Sequence, residues 1–161
     1  MTDVVARFDW AGRRPRLAGL SRFAVADRLL GAAAAAALAV DAYVHASNAS
    51  YYASNGSGLI TEGNIFLAET AAAAFVALLL VVRPQRISWT LSLIVAATAL
   101  AAVVVSTYVD IGAIGPIPDL YEPTWQPPGK LLSAYAEGAA TALSIAGLAL
   151  TFAVYRRRRS T

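Results

Sequence analysis

The sequence contains no cysteine among its 161 residues and only one histidine. The lack of cysteine excludes disulfide bonds and thiolate metal sites. A single histidine excludes haem ligation by two histidines of one chain. Charged residues are also scarce, at 14% of the chain where soluble domains average about 25%. Hydrophobic residues instead make up 58%, and their long runs predict an integral membrane protein.

Positive charge is confined to a few short parts of the chain. Of the thirteen basic residues, all but Lys130 are arginines, and they lie within 7–28, at 83 and 86, and within 156–159. Basic residues gather on the cytoplasmic side of membrane proteins. The pattern therefore predicts cytoplasmic termini and outward-facing segments at 46–64 and 111–130. It also accounts for the net charge of +3 without a nucleic-acid partner.

The hydrophobic pattern predicts an all-α fold, a bundle of four transmembrane helices. The predicted spans are 24–45, 59–82, 88–108 and 131–155, with basic cytoplasmic tails at 1–23 and 156–161. Small residues on the first span allow a neighbouring helix to approach closely. Near the cytoplasmic ends, we expect Asp27 to pair with adjacent arginines and Trp89 to lie at the membrane interface.

The segment 111–130 is unlike the other connections. It contains five prolines and three glycines, which exclude a helix. Its apolar residues, together with Tyr121 and Trp125, argue against a freely disordered loop. We expect an ordered cover on the outer face of the bundle.

Acidic residues and the single histidine fall at the outer ends of the predicted spans. Asp41 and His45 are four residues apart, on one face of a helix, and charged groups inside a span are costly unless they are paired. The predicted site comprises Asp41, His45, Glu69, Asp110 and Glu137, with Glu62, Tyr43 and Tyr108 as supporting residues.

An internal repeat would bring these residues together. The segment 40–45 aligns with 105–110, and 68–72 aligns with 136–140. Two such hairpins, related by an axis along the membrane normal, would bring His45 towards Asp110 and Glu69 towards Glu137. Alanine-rich helices also align by chance, so the alignment leaves both possibilities open.

Three interpretations of these polar residues remain open. Mixed carboxylate and imidazole ligands suit divalent zinc, manganese or iron. A cluster of acids also suits proton or small-ligand handling, because repulsion and desolvation change their protonation. Alternatively, each acid is a helix-end residue that reaches water or bonds a nearby tyrosine or backbone group.

The function classes left open are correspondingly broad. There is no glycine-rich phosphate loop and no nucleophile elbow. We expect a small membrane protein, either an accessory subunit or a binding protein, with the lipid bilayer and other subunits or self-association as partners. The alternative is an enzyme or transporter that uses the acidic cluster with a metal or protons.

Two stretches carry a resemblance to other proteins. They are EGNIFLAE at 62–69 and DIGAIGPIPDLYEPTW at 110–125. With the hydrophobic pattern over 24–155, they resemble uncharacterised four-helix membrane proteins of high-GC bacteria. The resemblance implies a four-helix fold in a bacterial plasma membrane and implies no activity.

The orientation can be tested with reporters. A reporter that functions only in the cytoplasm should be active when fused after Thr161, because basic tails are retained on the cytoplasmic side. Activity confined to an outward-functioning reporter would contradict the orientation.

Overall fold

The computed structural model describes residues 14–58 and 60–159. In this part of the chain it contains four α-helices, α1 (Arg14–Asn48), α2 (Glu62–Val82), α3 (Arg86–Tyr108) and α4 (Lys130–Arg159). A two-residue hairpin, β1 (Gly56–Ser57) and β2 (Ile60–Thr61), precedes α2. Each helix is long and apolar enough to span a membrane, so the predicted all-α fold is confirmed.

The first helix starts earlier than the predicted span. It begins at Arg14, so residues 14–23 are helical where a tail was expected, and residues 1–13 lie outside the described residues. Pro15 is tolerated there because the first turn of a helix leaves backbone N–H groups unbonded in any case.

The helices form a closed ring. Helix α1 packs against α2 and α4, and α3 packs against α4 and α2. Helices α1 and α3 are therefore diagonal partners, as are α2 and α4. Residues that meet in the bundle interior therefore come mainly from adjacent helices, and the site described below lies between two of them, α1 and α4.

The core is built largely from alanine. Its fully buried side chains include Ala34, Leu38, Ala73, Leu80, Ala96 and Ala140. Small side chains let transmembrane helices approach closely, and packing of this kind replaces the hydrophobic driving force that lipid cannot supply. Large apolar side chains such as Phe75, Val82 and Ile87 are instead exposed on the outside, where lipid would cover them.

Trp89 fills the end of the bundle that carries the arginines. Its side chain is fully buried between the helices, and its position at the membrane interface stays a prediction. The indole lies against Gly147 of α4, and its Nε1 donates a 3.1 Å hydrogen bond to Asp27 of α1. Asp27 is therefore bonded by Trp89 of α3, whereas we expected it to pair with adjacent arginines. The lack of a side chain at Gly147 leaves room for the indole ring.

The segment between α3 and α4 folds over the opposite end of the bundle. The Glu122 backbone N–H donates to the Ser106 carbonyl at 2.8 Å. Side chains of the α1–α2 connection also reach the segment, since Asn55 donates to the Asp119 carbonyl at 2.8 Å and Asn48 to the Pro128 carbonyl at 3.0 Å. These bonds hold the segment against this end of the bundle, and its outward orientation stays a prediction.

The contact between Trp89 and Gly147 yields a stability prediction. A Cβ atom at Gly147 would collide with three carbons of the indole ring. Gly147→Ala should therefore destabilise the fold by about 1–3 kcal/mol, as overpacking of a core does. Thermal unfolding in mild detergent measures the change.

Gly138 provides the matched control on the same helix. A Cβ atom there would meet nothing within 4 Å, so Gly138→Ala should leave the unfolding midpoint unchanged or raise it slightly. Equal effects of the two substitutions would contradict the packing described for Trp89.

Candidate functional site

Three of the predicted residues meet between α1 and α4. Asp41 and His45 lie one turn apart on α1, and Glu137 faces them from α4. Each offers a ligand atom, and these atoms all lie within 4.8 Å of one another. Asp41 and Glu137 are 0% and 1% exposed, so two carboxyl groups share a space with little access to water.

Ser133 joins the two carboxyl groups. Its Oγ lies 2.7 Å from Asp41 Oδ1 and 2.8 Å from Glu137 Oε1, both within hydrogen-bonding distance. A serine hydroxyl carries a single hydrogen and can donate it to one carboxylate at a time. The other contact needs a second proton, on one of the carboxyl groups, or a cation nearby.

Several carboxylate oxygens have further bonding capacity. Among the described residues, Asp41 Oδ2, Glu137 Oε2 and Glu69 Oε1 are buried without a hydrogen-bond partner. Leaving a buried acceptor unpaired costs about 1–3 kcal/mol, and more when it is charged. The unpaired oxygens therefore mark a place where a proton, water or cation would be stabilising.

His45 is oriented by Asp41 and Phe66. Its Nδ1 lies 3.0 Å from Asp41 Oδ1 and 3.1 Å from the Asp41 carbonyl oxygen. The imidazole ring meets the Phe66 ring edge-on at a centroid distance of 4.9 Å. The Nδ1 atom therefore faces the carboxylate oxygens. Protonated, it donates to Asp41; deprotonated, it offers its lone pair to a cation shared with the carboxylates.

A cavity of about 150 Å³ adjoins this group. His45, Glu69, Ser133 and Glu137 line it, and most of its remaining wall is apolar. Glu69 lines the cavity but is not one of the three residues whose ligand atoms lie within 4.8 Å of one another. The acidic group is thus one wall of a space that can admit water or a small ligand.

The covered end of the cavity is lined by a second set of polar residues, which are paired with one another. Tyr52 donates from its hydroxyl to Glu122 at 2.9 Å, and Lys130 forms a 3.4 Å ion pair with Glu122. Glu62 accepts a 2.6 Å hydrogen bond from Asn55. Burial, as the larger cause, and the hydrogen bond to Glu122 both raise the pKa of the Tyr52 phenol.

Comparisons of the chain with models of protein families, with curated proteins and with solved structures find no match. The predicted resemblance to bacterial four-helix membrane proteins is therefore not tested. The site has to be interpreted from its own geometry.

The structure does not bring every predicted residue to the site. Asp110 is exposed, and its carboxylate accepts a 3.1 Å hydrogen bond from the Gly112 backbone N–H. It lies beyond the end of α3, and α3 is diagonal to α1. Tyr43 and Tyr108 are also exposed, and Tyr108 accepts a hydrogen bond from Trp125. Glu62 lines the cavity at its covered end.

Ser133, Glu122 and Lys130 were not predicted from the sequence. A signal for Ser133 is present, because it precedes Glu137 by four residues just as Asp41 precedes His45. Serine is common in transmembrane helices, so this spacing by itself does not distinguish Ser133 from other serines of the chain.

The bridging role of Ser133 can be tested by Ser133→Ala. The substitution removes a donor from Asp41 and Glu137 together and should destabilise the fold by roughly 1–3 kcal/mol. Thermal unfolding in detergent at neutral pH provides the measurement. Ser47→Ala is the control, because Ser47 is exposed and its hydroxyl donates to the Tyr43 carbonyl of its own helix. A Ser133→Ala protein as stable as the control would contradict the bridging role.

Proposed function

We propose that the protein is a small integral membrane protein that binds a divalent transition-metal ion at Asp41, His45 and Glu137. The observation that carries the proposal is the convergence of the three side chains within 4.8 Å, two of them carboxyl groups buried in an apolar bundle. A divalent cation would neutralise both carboxylates and engage oxygens that lack a partner.

The donor set favours particular metals. One imidazole with carboxylate oxygens suits manganese, iron or zinc, whereas the lack of thiolates removes the ligands that favour copper(I). Glu69 lies in the same cavity, where it can supply a fourth ligand or accept a proton from metal-bound water. This arrangement supports binding and leaves room for metal-dependent enzyme or transport chemistry.

A second function is favoured by the single hydrogen of Ser133. Two carboxyl groups bridged by one hydroxyl can share an added proton, and a third carboxyl group, that of Glu69, lines the adjoining cavity. The same residues would then take up and release protons in place of a metal. Metal binding and proton binding compete for the same oxygens, so metal affinity should fall as pH is lowered.

The placement of the protein in the membrane is part of the proposal. We place it in a bacterial plasma membrane with both termini in the cytoplasm, which puts the acidic group near the outer face. The arginine distribution supports this orientation. Exposed alanines on α1, including Ala32, Ala36 and Ala39, would let another membrane subunit or a second copy pack closely.

Metal content gives the direct test. Protein purified without a metal-affinity column and then supplied with manganese, iron or zinc should retain about one equivalent of one of them. Glu137→Gln and His45→Gln should each weaken binding at least tenfold, because each removes a ligand while nearly preserving side-chain size. Elemental analysis and titration calorimetry measure the content and the affinity.

Asp110→Asn is the matched control. It removes the same negative charge at an exposed position of the outer segment and should change metal affinity by less than about twofold. Retention below about a tenth of an equivalent of every metal would contradict metal binding and leave the proton function. Equal losses in Asp110→Asn and Glu137→Gln would place the metal elsewhere.

A further inference from the structure

The arginine-rich end of the bundle contains a second cavity. It is open, has a volume of about 480 Å³, and lies between residues 23–27 of α1, the α2–α3 turn and the last turns of α4. Its basic lining residues are Arg83 and Arg86, and its apolar ones include Phe23, Leu150 and Val154. A cavity of this size suits a small-molecule group, and it is separate from the acidic group described above.

Arg86 is held in place at this cavity and keeps bonding capacity. Its guanidinium carbon lies 4.8 Å from the Phe152 ring centroid and 4.2 Å from that of Tyr155. Its Nη2 is buried and has no hydrogen-bond partner among the described residues. A stacked guanidinium has lost much of its freedom already, so it binds an anion with little further entropic cost. An unpaired buried donor indicates a missing acceptor.

The depth of the cavity indicates the source of that acceptor. Its lining comes from the first residues of the candidate span that starts at Arg22, from the turn between Val82 and Arg86, and from the end of the span that finishes at Arg156. These are the positions at which helices leave the hydrocarbon layer. Basic pockets between helices at this depth suit the phosphate groups of lipids.

We propose that this cavity binds the phosphate group of an anionic phospholipid, with Arg86 as the principal contact and Arg83 as a second cation. The planar guanidinium matches the geometry of phosphate oxygens and can form two parallel hydrogen bonds. The apolar lining residues accommodate the adjoining lipid carbon atoms. Free phosphate has the same binding chemistry, so the experiment has to distinguish the two sources.

The negative charge of Asp27 opposes phosphate binding, so a substitution of Asp27 gives a further test. Its carboxylate lines the cavity while accepting the hydrogen bond from Trp89. Asp27→Asn removes the negative charge and retains a carbonyl oxygen for the indole to bond. The substitution should therefore tighten phosphate binding, which a purely structural role for Asp27 does not predict.

Native mass spectrometry of the full chain in mild detergent tests the proposal. The protein is supplied in separate arms with phosphatidylglycerol, phosphatidylcholine and inorganic phosphate. The expected result is retention of phosphatidylglycerol above the other two, a loss of about tenfold in Arg86→Gln, and an increase in Asp27→Asn. Arg28→Gln, which removes a charge at the same end outside the cavity lining, should change retention by less than about twofold.

One further variant completes the design. Arg86→Lys keeps the charge without the planar fork and should retain an intermediate amount of lipid; size-exclusion chromatography checks that each variant is folded. Retention of inorganic phosphate alone, lost in Arg86→Gln, would support the phosphate site and overturn a lipid source. Equal retention by Arg86→Gln and Arg28→Gln, or no gain in Asp27→Asn, would overturn the site.

Discussion

Two carboxyl groups, Asp41 and Glu137, are buried side by side in a bundle made largely of alanine, and this constraint organises the rest of the structure. Charges inside a span are expensive unless they are paired, and both groups are at most 1% exposed. The hydroxyl of Ser133 holds one carboxylate oxygen of Glu137 in place, and the imidazole of His45 holds one carboxylate oxygen of Asp41. The second oxygen of each carboxyl group is buried without a hydrogen-bond partner among the described residues. The divalent cation that we propose would neutralise both carboxyl groups together.

The surrounding architecture follows from the need to bring these groups together. Small side chains let α1 and α4 approach closely enough for Ser133 to span the gap to Asp41. The proline-rich segment covers the cavity, and its Glu122 pairs with Tyr52 and Lys130 at that end. At the opposite end, Trp89 packs on Gly147 and ties α3 to Asp27 of α1. The bundle is therefore polar at two separate places, one acidic and one basic.

Much of the fold could be predicted, because the four apolar runs and the arginine pattern depend only on local sequence. The Asp41–His45 pair was also accessible, since four residues separate neighbours on a helical face. The rotation of α4 about its own axis, which brings Ser133 to Asp41, could not be predicted from the sequence. The end of α3 at Tyr108 leaves Asp110 outside the helix, where it bonds a turn. The alignment paired His45 with Asp110, just beyond the end of the diagonal α3. In the structure the ring of His45 instead meets Phe66 of α2, and Asp41 is bonded by Ser133 of α4; an internal duplication stays a prediction.

X-ray absorption at the metal edge tests directly whether a metal ion binds between Asp41, His45 and Glu137. We expect a first coordination shell of nitrogen and oxygen atoms at about 2.0–2.2 Å, with the scattering signature of one imidazole and no sulfur. That imidazole signature should disappear in His45→Gln loaded with the same metal. An all-oxygen shell in the unaltered protein, or a spectrum that does not change in His45→Gln, would show that the metal does not bind between Asp41, His45 and Glu137.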